Sequence, residues 1–347
     1  MMRRLLLIVA AVAALASCAG AGHGSGNTSG NMEYAKYFEV IENGIVTVSP
    51  YDGSRDTLLV SNPVSNIICM STSYIAYLSA AGAADCVSGV SGIGYVSDTT
   101  VLRRYSGNLK EGERPLYDVG YDSALDYERV VSMQPDLFVT YTVSQVEPQY
   151  VSKLRSLGIR VLVLYEHLED HPLARAEYVK LFGALTGRYV QACEYFAAES
   201  EAYNALVTEG DAGVLMNIPY GDQWFIPGGD NYMSRLVHDA GGKVLGAKEG
   251  ESSSRVISIE EAYVLASQAD YWLNPGWCRT KADLEGVNPV FSKFGITRIY
   301  NNTRRETPAG GNDFWESGCV HPSMILEDLV SIFSGRDTLF HYYVKVD

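Results

Sequence analysis

Positive charge is scarce in this chain. Lys and Arg total 27 against 41 Asp and Glu, a formal net charge of −14, so the cationic footprint that a nucleic-acid backbone requires is missing. Cysteine is scarce too: Cys18, Cys69, Cys86, Cys193, Cys278 and Cys319 include no C-x-x-C pair, which removes the usual thiolate signatures of zinc and redox sites. The six histidines are scattered, only His167 and His171 standing at i,i+4 spacing, so the protein is expected to hold no metal of its own. Gly92 and Gly94 lie in a Gly-rich loop that lacks both the dinucleotide and the P-loop pattern. Neither a nucleophile elbow nor carboxylates at a defined acid/base spacing is present, so no catalytic residue is assigned. Glu166, Asp222 and Glu316 are the groups an enzyme on this chain would use. The apolar stretch 5–16 is too short to span a bilayer.

That stretch follows Arg3 and Arg4 and ends in Leu15-Ala16-Ser17-Cys18, the layout of an export signal. The last four residues resemble the lipobox of bacterial lipoproteins. The resemblance implies that Cys18 is acylated and opens the mature chain, each buried CH₂ of the acyl chains adding about 0.8 kcal/mol to membrane binding. A soluble signal peptide with an incidental Cys is the alternative. Residues 1–17 thus read as a signal peptide and 18–37 as a flexible tether, poorest in apolar side chains over 19–31. The remaining chain, roughly 315 residues, exceeds what one hydrophobic core serves and predicts two lobes. The five other cysteines are an odd set that permits a disulfide without imposing one, and Cys69 reads as a buried small hydrophobe.

Runs at 46–48 and 57–60 around Tyr51-Asp52-Gly53 predict a hairpin. Short apolar strands at 67–70, 87–90, 137–141 and 161–165 then alternate with helical segments, the signature of a mostly parallel sheet covered on both faces. Asp170 and Pro172 open a helix predicted to continue to 185. Tyr189, Cys193, Phe196, Ser200, Tyr203 and Val207 recur at steps of three and four, predicting a long helix that joins the lobes. Strand and helix alternate again from 214. The expected architecture is α/β: an N-terminal lobe at 38–185 with the added hairpin, a single backbone helix at 186–208, and a C-terminal lobe at 209–347, each lobe built on a mostly parallel sheet flanked by helices.

Two helix starts match between the lobes. Asp126-Tyr127-Glu128 and Ser258-Ile259-Glu260 each place a capping residue, a bulky side chain and a carboxylate in order, and each helix leads to an Asp before a strand, Asp136 or Asp270. Ser258 and Glu261 also form a capping-box pattern. Glu128 and Glu260 either suit the positive end of the helix dipole or present two acidic knobs to a basic partner. Ligands of open α/β sheets gather beyond the carboxyl ends of the strands. There the chain carries Tyr95, Tyr141, Tyr165, Tyr220, Trp224, Trp277 and Trp315, amphipathic side chains suited to a large, partly planar ligand, and Arg304 and Arg305 for its anionic groups.

From 63 to 333 these features fall in the order of a known family. Val119-Gly120-Tyr121, Asp126-Tyr127-Glu128-Arg129-Val130, Gln134-Pro135-Asp136-Leu137, Leu154-Arg155-Ser156-Leu157-Gly158-Ile159-Arg160-Val161, His171-Pro172-Leu173-Ala174-Arg175-Ala176-Glu177 and Gly311-Asn312-Asp313-Phe314-Trp315-Glu316-Ser317-Gly318 resemble the periplasmic substrate-binding components of ABC importers for ferric siderophores, haem and vitamin B12. The resemblance implies the class III periplasmic-binding-protein fold, with little hinge opening, and makes Glu128 and Glu260 the pair that meets arginines on the two permease subunits. It implies no intrinsic cofactor. The ligand would be a ferric siderophore, haem or cobalamin, and the partners a permease dimer with its ATPase subunits. The protein would be a monomer in the bacterial periplasm, anchored to a membrane through Cys18. A cell-envelope enzyme and a protein-binding scaffold lipoprotein are the competing functions.

Overall fold

A computed structural model describes residues 32–336 and 339–347. The signal segment, Cys18 and the tether as far as residue 31 lie outside the described residues. Three antiparallel strands open the body, β1 (Phe38–Ile41), β2 (Gly44–Val48) and β3 (Arg55–Leu59), so the expected hairpin gains a strand on its free side. The strands β4 (Ile67–Cys69), β5 (Val87–Val90), β6 (Tyr117–Asp118), β7 (Leu137–Tyr141) and β8 (Val161–Leu164) form a wholly parallel sheet in the order β6-β5-β4-β7-β8. Their apolar side chains are buried on both faces, which is why the runs lack polar alternation.

In the second lobe β9 (Ala212–Met216), β10 (Pro219–Tyr220), β11 (Gln223–Ile226), β12 (Gly242–Val244), β13 (Arg255–Ile257), β14 (Tyr271–Leu273), β15 (Ile299–Asn301) and β16 (Val344–Lys345) follow. The central sheet runs β12-β9-β14-β15-β16, parallel except for β16, and β10-β11-β13 make a small antiparallel sheet beside it. The two lobes with mostly parallel sheets are therefore as expected, whereas the side sheet was not foreseen.

The matched helix starts are matched in hydrogen bonding. Asp126 accepts the Arg129 amide at 2.9 Å and Ser258 that of Glu261 at 3.1 Å. Asp136 and Asp270 each donate their own amide at 2.8 Å to the residue entering the first strand of their lobe, Asn66 or Gly213. Their carboxylates accept that residue's amide at 3.0 and 2.8 Å. The second half of the capping box is absent, because Glu261 turns to Arg255 at 2.6 Å.

The helix between the lobes spans Tyr189–Leu206, 18 residues and about 27 Å at 1.5 Å per residue. It packs on the helix Tyr178–Leu185 of the first lobe and on Pro322–Phe333 of the second. Its buried face is Ala192, Cys193, Phe196, Glu199 and Tyr203. Glu199 lies inside because its carboxylate accepts the Ser323 amide at 2.7 Å, and Val207 is exposed just past the helix. One apolar cluster runs through both lobes along this helix, while a smaller one backs the far face of the first sheet.

Two expectations need correction here. The helix predicted from 172 to 185 is two, Pro172–Ala176 and Tyr178–Leu185, broken at Glu177. The tether expected through residue 37 gives way to fixed chain by Glu33. The buried Glu177 carboxylate accepts the amides of Glu33, Tyr34 and Ala35 at 2.8–2.9 Å, and Glu169 accepts those of Lys36 and Tyr37. Glu177 also pairs with the buried Lys180 at 2.7 Å. Glu177→Ala strands that ammonium, and its expected cost is about 3–5 kcal/mol in urea unfolding, with faster proteolysis around residues 33–37; an unchanged midpoint would contradict the clamp.

Candidate functional site

The carboxyl ends of β4–β8 and of β9, β14 and β15 carry the loops with the most exposed aromatic side chains. On the first lobe the Asp118 carboxylate accepts the amides of Gly92, Ile93 and Gly120 at 3.0–3.1 Å. This ties two rim loops together and sets the rings of Tyr95 and Tyr121 edge to face at 6.0 Å. Tyr141, 38% exposed, meets the His167 ring at 5.7 Å, and the half-buried Tyr165 meets Tyr51 at 6.3 Å. Asn217 and Asn274, at the exits of β9 and β14, take left-handed backbone conformations, which Asn tolerates better than most residues. Beyond them stand Tyr220 at 86% and Trp277 at 64% exposure, with Trp315 at 42%.

The two sides meet at Arg175. Its guanidinium donates to the His167 carbonyl at 2.7 Å and lies 3.8 Å from the centroid of Tyr232, the residue that opens the helix Tyr232–Asp239 of the other lobe. Tyr232 in turn faces Trp315 at 6.2 Å. Beside this cation–π contact is Glu166, fully covered, receiving the hydroxyls of Ser73 and Tyr74 at 3.3 Å. Burial pushes its carboxyl up to about 7. His167 has neither ring nitrogen hydrogen-bonded, and burial with the nearby Arg175 charge pushes it down to about 4, leaving a neutral imidazole at neutral pH. Among the described residues no group of three or more His, Cys, Asp or Glu is placed to hold a metal ion.

The structure pairs Tyr95 with Tyr121 on the first lobe, sets Tyr141 and Tyr165 at the ends of β7 and β8 of the same lobe, and places Tyr220, Trp277 and Trp315 on the loops of the other. Trp224 is a correction: it is 0% exposed, its indole donates to the Met216 carbonyl at 2.7 Å, and its ring stacks on Trp272 at 5.8 Å with Phe291 and Phe294 around it. β11 alternates, turning Trp224 and Ile226 into the core. Arg304 is exposed and pairs with no carboxylate among the described residues, whereas Arg305 is held by the buried Asp313. Glu128 and Glu260 are both exposed in the first turns of their helices, and Glu260 is held below its ordinary value by a helix-start amide and by Ser258. Glu316, a candidate for acid/base chemistry, is 2% exposed and occupied by main-chain amides. Arg175 and Tyr232 were missed; a lone Arg inside the apolar run Leu173-Ala174-Arg175-Ala176 was the available signal.

A family model described as periplasmic binding protein matches residues 67–293. The chain belongs to the periplasmic binding protein family. A relative, an uncharacterized lipoprotein of Methanocaldococcus jannaschii, is 25% identical over 300 residues, covering 83% of this chain and 70% of that protein. Among solved structures, a periplasmic binding protein of Veillonella parvula superposes with a TM-score of 0.61 at 14% identity, over 84% of this chain and 98% of that one. A periplasmic heme binding protein of Pseudomonas aeruginosa gives 0.57 at 17%, over 82% and 98%. A periplasmic vitamin B12 binding protein of Vibrio cholerae gives 0.53 at 14%, over 80% and 99%. At these identities the structures show the fold, the class III arrangement of two lobes.

Two outcomes follow from the site's chemistry. Glu166 and Glu169 are pushed up to about 7 and Glu316 to about 8, in each case chiefly by burial. The folded protein keeps these protons after the unfolded chain has released them near 4.5, so their contribution is complete below that pH and is lost as pH rises through 7 to 8. The urea midpoint is expected to fall from pH 5 to 8.5, and Glu166→Gln to flatten the decline; a midpoint that rises over this range would overturn the assignment. Trp224→Ala is expected to cost about 3–5 kcal/mol of stability, while Trp277→Ala leaves stability within about 0.5 kcal/mol; equal costs would contradict the division into core and rim.

Proposed function

We propose that this periplasmic binding protein captures a bulky, partly planar metal chelate, a ferric siderophore, haem or cobalamin, between its lobes and delivers it to an ABC permease with its ATPase subunits. What supports the reading is the set of exposed aromatic side chains on loops at the carboxyl ends of both sheets, Tyr95, Tyr121 and Tyr141 on the first lobe and Tyr220, Trp277 and Trp315 on the second. Broad rings with polar edges suit such a ligand, and Arg304 supplies an unpaired cation for an anionic group. Two structural neighbours, a heme binding and a vitamin B12 binding protein, agree with this class of ligand.

Delivery rests on Glu128 and Glu260. They project, exposed, from corresponding helix starts in the two lobes and neither forms an ion pair among the described residues, an arrangement suited to a permease dimer that offers one basic contact per subunit. The division into a signal peptide at 1–17, a tether, lobes at 38–185 and 209–347 and a helix between them belongs to the same reading. So does acylation of Cys18, which would keep the protein near its importer outside the cytoplasmic membrane; the name of the archaeal lipoprotein relative supports it.

Native mass spectrometry with ultraviolet-visible absorption, on protein incubated with haemin, cyanocobalamin and several ferric siderophores, is expected to give a stoichiometric complex with one of them and no product. Absence of any complex, or turnover of the ligand, would overturn the reading. Replacing Glu128 and Glu260 together by Arg is expected to abolish stimulation of the cognate importer's ATPase while ligand affinity changes less than about twofold, as for distant independent sites. Full stimulation by that variant would refute the docking role.

A further inference from the structure

The helix Tyr189–Leu206 is one tie between the lobes; the segment 303–318 makes another. Thr307 of the second lobe donates its hydroxyl to the Gly94 carbonyl of the first at 2.7 Å. Gly311 lies so close to Tyr95 that a Cβ on it would fall 2.2 Å from the Tyr95 carbonyl oxygen, and only glycine permits that approach. The chain then turns back to place Glu316, 2% exposed, against the first lobe. One carboxylate oxygen accepts the Ser97 amide at 2.8 Å and the other the Asp98 amide at 2.7 Å.

What Glu316 grips is itself well held. The Asp98 carboxylate accepts the Thr100 and Val101 amides at the start of the helix Thr99–Tyr105 and the Ser79 hydroxyl at 2.7 Å. On the other side, Asp313 accepts from Arg305 and from the Ser317 amide. Trp315 directly precedes Glu316, and Tyr95 stands two residues before Ser97. The bridge therefore joins the segments that carry one exposed aromatic side chain from each lobe.

Resting on the ligand reading above, we propose that Glu316 is a positioning residue for ligand capture: by holding the Ser97 and Asp98 amides across the lobe boundary it sets the spacing between Tyr95 and Trp315, and with it the size of ligand the cleft retains. Two main-chain amides reach both oxygen atoms of one planar group, so the bridge resists both sliding and opening.

The test uses spin labels on V131C and V264C, exposed positions on the corresponding helices Tyr127–Met133 and Ile259–Ala266; the described native cysteines are buried. Pulsed electron resonance on the unliganded protein is expected to show a narrow distance distribution that broadens in Glu316→Ala and is largely restored in Glu316→Gln, which keeps one acceptor oxygen. In parallel, dissociation of haemin and of cyanocobalamin is followed by tryptophan fluorescence. For the probe that binds, Glu316→Ala is expected to release it about tenfold faster, the scale of one lost hydrogen bond, with Glu316→Gln between it and the parent. An unchanged distance distribution in Glu316→Ala, or an unchanged release rate, would overturn the proposal. If the parent protein binds neither probe nor any of the ferric siderophores, the ligand reading loses its support and the distance measurement alone decides the bridge.

Discussion

Main-chain amides accepted by buried and half-buried carboxylates hold together the parts of this protein that strands and helices do not. Glu177 and Glu169 hold the entering chain, Asp118 the rim loops of the first lobe, Glu199 the start of the last helix, and Glu316 the lobe boundary. Asp328 accepts the amides of His341, Tyr342 and Tyr343 near the end of the chain. Irregular backbone inside a protein leaves N–H groups that must find acceptors, and a carboxyl group with two oxygens serves several at once. The cost is desolvation, visible in the upward displacement of Glu166, Glu169, Glu316 and Asp328. Part of the acidic excess in the composition is thus internal and structural.

This economy has a functional consequence. The apolar cluster that runs through both lobes along Tyr189–Leu206 and the bridge at Glu316 join the lobes at two separate stretches of chain. A loop is a poor platform for recognition unless its backbone is fixed, and the loops bearing Tyr95, Tyr121 and Trp315 are fixed by Asp118, Asp313 and Glu316. Arg175, lodged on Tyr232, adds a contact between the lobes beside the same aromatic rings. On the proposed reading, recognition relies on preorganised surfaces rather than on closure around the ligand.

The architecture was legible because its strands are short apolar runs with little else to be, and because the duplication left the same local chemistry twice, Asp126 with Asp136 and Ser258 with Asp270. The exposed Glu128 and Glu260 followed from that comparison. Trp224 was misread because Gly221-Asp222-Gln223 before it suggests an open loop; the alternation of Trp224 and Ile226 was present, but its meaning depends on pairing with β13, some thirty residues away in the chain. Glu177 looked like an ordinary helix residue, and only the docking of residues 33–35 explains a buried carboxylate and a broken helix there. Arg175, Tyr232 and Glu316 meet their partners across the lobe boundary, and contacts of that kind leave no local periodicity to read.

The claim on which the rest stands is that the cleft exists at its working width before ligand arrives. Small-angle X-ray scattering of the protein, free and saturated with the ligand that binds, measures this most directly. The account predicts scattering curves that superimpose; a contraction on binding, of the kind produced when two lobes close about a hinge, would contradict it.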